Sequence, residues 1–118
     1  MSLHLLLVDD EPGMLETLSD ILTSAGYTVT AVNSGEKALE ELHRGGFDLV
    51  LMDVRMPGRD GVAVMEESGA PPPPVVLMTA YALEERLQIA RAGGAHAVLQ
   101  KPFAAPYLLD VLAGAVAA

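Results

Sequence analysis

Residues 49–53 read Leu49-Val50-Leu51-Met52-Asp53, four apolar side chains in a row and then a carboxylate. A strand with one wet face alternates polar and apolar residues. An uninterrupted apolar run of this length fits a central strand of a parallel sheet covered on both faces. Two further runs, 3–8 and 75–78, are likewise apolar without polar alternation, and each also gives way to polar residues, Asp9-Asp10 and Thr79. The run 27–32 alternates as Tyr27-Thr28-Val29-Thr30 and suits an edge strand, and a fifth short run occupies 97–99.

Between these runs the apolar period is helical. Leu15, Leu18, Ile21 and Leu22 fall on one face of a first helix that stops at Gly26. Ser34 is placed to cap a second helix, which buries Ala38, Leu39 and Leu42 and stops at Gly45-Gly46. Gly61–Glu67 predicts a short third helix, 83–92 a fourth closed by Gly93-Gly94, and Leu108, Val111, Leu112, Ala115 and Val116 line a fifth. Pro71 to Pro74 form a stiff connector into the fourth strand. Strand and helix alternate five times, the rhythm of a doubly wound (βα)5 sheet with helices on both faces.

The chain has 118 residues, a single-domain length, and 51% of them are hydrophobic, enough for one core. Seven Lys+Arg against sixteen Asp+Glu leave a net charge of −9. Such a surface repels phosphate backbones and anionic lipid, so direct binding to nucleic acid or membrane is not expected. Absence of cysteine excludes a disulfide framework, thiolate catalysis and zinc–thiolate sites. No apolar run approaches the ~20 residues of a bilayer span, and the first residues lack a basic signal-peptide region, so a cytoplasmic domain is expected.

Open parallel sheets bind ligands at the carboxyl ends of their strands. Here those ends carry Asp9, Asp10, Asp53, Thr79 and Lys101. Taken singly, each reads as a cap or a surface charge. Taken together, three carboxylates would crowd one patch and raise each other's pKa unless positive charge sat among them, which Lys101 and a divalent cation would supply. All-oxygen ligands select a hard ion such as Mg²⁺, which takes few carboxylates and leaves positions open for a phosphoryl oxygen. Asp53 is then a nucleophile for in-line attack on phosphorus, and Thr79 a hydroxyl donor to the transferred group.

Four motifs carry a resemblance: Leu-Leu-Val-Asp-Asp-Glu-Pro (6–12), Asp-Leu-Val-Leu-Met-Asp-Val-Arg-Met-Pro-Gly-Arg-Asp-Gly (48–61), Met-Thr-Ala-Tyr (78–81) and Lys-Pro-Phe (101–103). In this order and spacing the chain resembles the receiver domain of two-component response regulators over residues 1–118. The resemblance implies a flavodoxin-like three-layer fold with strand order 2-1-3-4-5. It makes Asp53 the phosphoacceptor. It has Asp10, Asp53 and the backbone carbonyl of Arg55 ligate Mg²⁺, with Asp9 acting on the metal mainly through water. Thr79 and Lys101 contact the phosphoryl oxygens, the Lys101-Pro102 bond is cis, and Gly58 and Gly61 serve the tight loop after Asp53.

The resemblance also implies a signalling domain that catalyses only its own phosphorylation and dephosphorylation. Its partner is a histidine kinase or phosphotransfer protein, and a homodimer would use the fourth helix, fifth strand and fifth helix. The chain is either a stand-alone receiver or the front part of a longer protein. One position departs from the family: three residues before the lysine, where an aromatic switch residue is usual, stands Val98. Tyr81, two residues after Thr79, is at most a partial substitute, so the conformational change is expected to run through Thr79, Lys101 and the loop 80–84.

His4, His43 and His96 are scattered and read as structural or exposed, and Met52, Met56, Met65 and Met78 as core filling. Three other functions fit these residues less well. A haloacid-dehalogenase-like phosphatase needs an acid two residues after its nucleophile, where Arg55 stands. A flavodoxin-like cofactor binder needs a Ser/Thr/Gly-rich first loop rather than Asp9-Asp10-Glu11. A phosphorylation-independent interaction module would not need the whole site.

Overall fold

The computed structural model describes residues 2–68, 73–80, 88 and 93–117. They form β1 (His4–Val8), α1 (Pro12–Ser24), β2 (Thr28–Val32), α2 (Gly35–Arg44), β3 (Leu49–Asp53), α3 (Gly61–Glu67), β4 (Val75–Thr79), β5 (Ala97–Gln100) and α4 (Ala105–Ala117). The sheet is wholly parallel, in the order β2-β1-β3-β4-β5. The expected helix at 83–92, together with Tyr81, Pro71 and Pro72, lies outside the described residues apart from Gln88.

Successive side chains of a strand point to opposite faces, and the core divides accordingly. Leu6, Val8, Val50, Met52, Val75 and Leu77 meet Ala38 and Leu39 of α2 and Val62 and Val64 of α3. Leu5, Leu7, Leu49, Leu51, Val76, Met78 and Leu99 meet Leu18 and Leu22 of α1 and Leu108, Leu112 and Ala115 of α4. This double cover explains why β3 and β4 are buried at every position while β2, on the edge, is buried at none.

Helix ends follow local chemistry. The Ser34 hydroxyl accepts the Lys37 N–H at 3.2 Å, as the sequence predicts. Asp60 caps α3 in the same way, accepting the Ala63 N–H at 2.8 Å. Gly26, with φ of 102°, follows α1 in the left-handed region. Small differences remain at element edges: β1 and β2 each begin one residue later than the apolar runs, and β5 extends through Gln100. Leu42 and Ile21 are half-buried rather than core. The four methionines do fill the core, three of them fully or nearly buried and Met65 packed at its margin. His43 and His96 are exposed, whereas the half-buried His4 ring bonds the Thr30 hydroxyl at 2.7 Å and packs on Phe47 with ring centroids 4.4 Å apart.

Candidate functional site

Strand order places the site. Because β3 pairs with β1 on one side and β4 on the other, Asp53 ends its strand next to the end of β1 and beside Thr79 at the end of β4. Lys101 follows directly on β5, its N–H donating to the Thr79 carbonyl at 2.6 Å. Its bond to Pro102 is cis, as the resemblance implies.

The Lys101 ammonium lies 3.0 Å from Asp9 Oδ2 and 3.0 Å from Asp53 Oδ2. Each acid's second oxygen is also engaged at its edge: Asp9 Oδ1 accepts the Glu11 N–H at 3.0 Å and Asp53 Oδ1 the Arg55 N–H at 3.2 Å. Asp9 is fully buried, and Asp53 and Thr79 are 8% and 1% exposed. Asp10 is exposed and makes no ion pair among the described residues. It lines an open cavity of about 430 Å³ with Arg55, Met56, Pro57, Gly58 and Asp60.

One ammonium thus serves two carboxylates, and its charge is divided between them. Burial pushes the Asp53 carboxyl above the ordinary carboxylate range and the neighbouring Asp9 adds to this, more than the hydrogen bond and charge of Lys101 and the Arg55 N–H restore. At Lys101 burial acts downward, but the hydrogen bonds and charges of Asp53 and Asp9 outweigh it and raise the ammonium above its usual value. Asp53 moves upward chiefly through its burial and Lys101 through its two acidic partners, and three carboxylates cluster around that one ammonium.

That imbalance fits a bound cation. Carboxylate oxygens of Asp9, Asp10 and Asp53 all lie within 4.8 Å of one another. The donor set is oxygen only, which suits a hard ion, and the cavity beside Asp10 leaves room for waters and a phosphoryl group. The loop that forms the cavity wall depends on two glycines for different reasons. Gly58 sits at φ of 76°, a backbone region costly for other residues, whereas Gly61 is required by crowding: a Cβ there would lie 2.6 Å from the Asp53 carbonyl oxygen and 3.2 Å from Leu77.

The structure therefore brings Asp9, Asp10, Asp53, Thr79 and Lys101 together at the carboxyl ends of the strands, with Arg55 two residues beyond Asp53. Sequence reasoning missed two supporting residues, the cap Asp60 and Gly35. A Cβ on Gly35 would overlap the Arg59 carbonyl oxygen and lie 2.8 Å from the Arg59 Cβ. Asp60 had a legible signal, an acid three residues ahead of an N–H in the first turn of an apolar helix. Gly35 had none, because its neighbour is remote in sequence.

Comparison with known proteins gives one consistent result. The family model of the response regulator receiver domain matches residues 5–113. The response regulator protein FleR of Pseudomonas aeruginosa is 44% identical over 115 residues, covering 96% of this chain and 24% of that protein. The transcriptional regulatory protein GlrR of Escherichia coli is 41% identical over 101 residues, 84% of this chain and 23% of that protein. The chain thus spans about a quarter of the length of these relatives. Among solved structures, a CheY-like receiver domain protein from Methanospirillum hungatei superimposes with a TM-score of 0.93 at 25% identity, covering 99% of this chain and 95% of that one. The receiver domain of the sensor histidine kinase PA1611 of P. aeruginosa, solved with a magnesium ion coordinated in its active-site cleft, gives 0.89 at 30% identity with full coverage of both chains.

Proposed function

This chain belongs to the response regulator receiver family, and from that membership and the site geometry we propose that it is a phosphorylatable receiver whose phosphoacceptor is Asp53. The observation that carries the reading is the Lys101 ammonium 3.0 Å from both Asp9 and Asp53, which ties the ends of three strands into one reactive patch. A carboxylate oxygen of Asp53 attacks the phosphorus of a phosphohistidine on a histidine kinase or phosphotransfer protein. The P–N bond breaks, the imidazole leaves with its electron pair, and an acyl phosphate forms on Asp53.

Asp10, Asp53 and the Arg55 carbonyl would hold Mg²⁺, with Asp9 acting on it through water. When bound, the ion neutralises charge on the phosphoryl oxygens and relieves repulsion among the carboxylates. The magnesium in the PA1611 receiver supports this assignment. Lys101 lies close enough to Asp53 to exchange its carboxylate contact for a phosphoryl oxygen, and the Thr79 hydroxyl donates to another. A phosphoryl group adds about −1.5 to −2 charge at pH 7, and the conformational equilibrium moves by the difference in contacts the two states make with it.

The changed surface acts on an output domain or partner, and a homodimer would form through residues 83–92, β5 and α4. Its chemistry is confined to its own phosphorylation and dephosphorylation, in the cytoplasm; no described helix is long and apolar enough to cross a membrane. Intact-mass spectrometry with a small phosphodonor tests the reading. The wild type should gain one phosphoryl group with Mg²⁺ and none with a chelator. Gain of the group without any divalent ion would refute the metal's role.

A further inference from the structure

The loop between β3 and α3, residues 54–60, forms the cavity wall with one side, and its other side meets two helices. There Arg59 Nε lies 2.9 Å from Glu67 Oε2 at the end of α3, and Arg59 Nη1 lies 3.5 Å from Glu36 Oε1 in the first turn of α2. The loop backbone also seats against α2: Gly35 leaves no room for a Cβ beside the Arg59 carbonyl, and a Cβ on Gly58 would lie 3.1 Å from Glu36 Oε1. One guanidinium therefore spans two helices across the outside of the segment whose inner residues, Arg55, Met56, Pro57 and Gly58, face Asp10. We propose that Arg59 is a positioning residue for the metal site: by tying Glu36 to Glu67 it holds residues 55–58 where Mg²⁺ binding requires them.

Arg59 touches neither the ion nor the phosphoryl group, so it acts only through the loop. A loop already ordered in its bound form loses less entropy when the ion arrives. The contribution is on the scale of exposed ion pairs and is screened by salt. The inference rests on the receiver reading above, because it needs Mg²⁺ at Asp10 and Asp53.

Backbone amide shifts during Mg²⁺ titration test it, in the wild type, Arg59→Gln, Glu67→Gln and the double variant. At about 0.1 M salt Arg59→Gln should bind Mg²⁺ about twofold to fivefold more weakly, and the gap should close near 1 M salt, where screening is nearly complete. Glu67→Gln should show part of the loss and add nothing in the Arg59→Gln background. Equal Mg²⁺ affinity in wild type and Arg59→Gln, even with a lowered melting temperature, overturns the proposal and leaves the metal site standing. A wild type whose amides ignore Mg²⁺ overturns the metal site, and this inference with it.

Discussion

Asp9 is wholly buried and its charge is met by Lys101, so the lysine has a structural duty in addition to the one assigned in phosphotransfer. Removing one partner of a buried pair leaves an uncompensated charge, and Lys101→Ala should cost about 3–5 kcal/mol in the metal-free protein, measured by denaturant unfolding. Asp53 behaves in the opposite sense. Its folded pKa is raised, chiefly by burial, so ionising it costs folding free energy. Stability is therefore greatest with Asp53 protonated and falls as pH rises from the ordinary carboxylate value through the folded one. Asp53→Asn, neutral at every pH, should match wild type near pH 4, gain a higher melting temperature as pH rises through that window, and keep a constant advantage above it, all without Mg²⁺. The site residues were legible because a parallel sheet must bring the carboxyl ends of its strands together. The pairing of Lys101 with Asp9 was not, since spacing along the chain says nothing about which of three clustered acids a flexible ammonium reaches.

Elements were readable wherever their signal was local. Ser34 caps its helix three residues on, and the polar residues in β2 match its place at the edge of the sheet, where no position is fully buried. The demand for glycine at residue 61 comes from packing between α3 and the end of β3. Gly61→Ala would gain helix propensity, yet its Cβ would meet the Asp53 carbonyl, which belongs to a central strand and cannot swing aside. A net loss of about 1–3 kcal/mol is expected, together with shifted amides at residues 53–55. Val98 tests the unusual strand position. It lies in register with Leu77, half-buried against the cluster that α2 and α3 cover. Being β-branched and stiff at χ1, it has no ring to swing. Val98→Ala should cost about 1 kcal/mol and leave phosphorylation intact, whereas Thr79→Ala should keep the fold and uncouple phosphorylation from the amide-shift response. A Val98→Ala protein that is phosphorylated yet shows no shift response would place the switch at residue 98 instead.

Across the whole molecule, two apolar layers clamp one sheet, and the polar chemistry gathers at one end of it. The sheet order separates the tasks: burial on both faces holds the central strands, and the ends of β1, β3 and β5 set the distances among Asp9, Asp53 and Lys101. Strand order itself was not legible from periodicity, since hydrophobic pattern reports burial and not neighbours; it came with the family resemblance. Binding of Mg²⁺ to the folded state alone should raise the melting temperature at millimolar concentration, and Asp10→Ala should remove most of that rise. After treatment with a small phosphodonor and Mg²⁺, reductive trapping of the acyl phosphate followed by peptide mass mapping identifies the residue that carried it. The label should fall on Asp53 alone and vanish in Asp53→Asn; a label on Asp9 or Asp10 in the wild type, or unchanged labelling in the variant, would contradict the account.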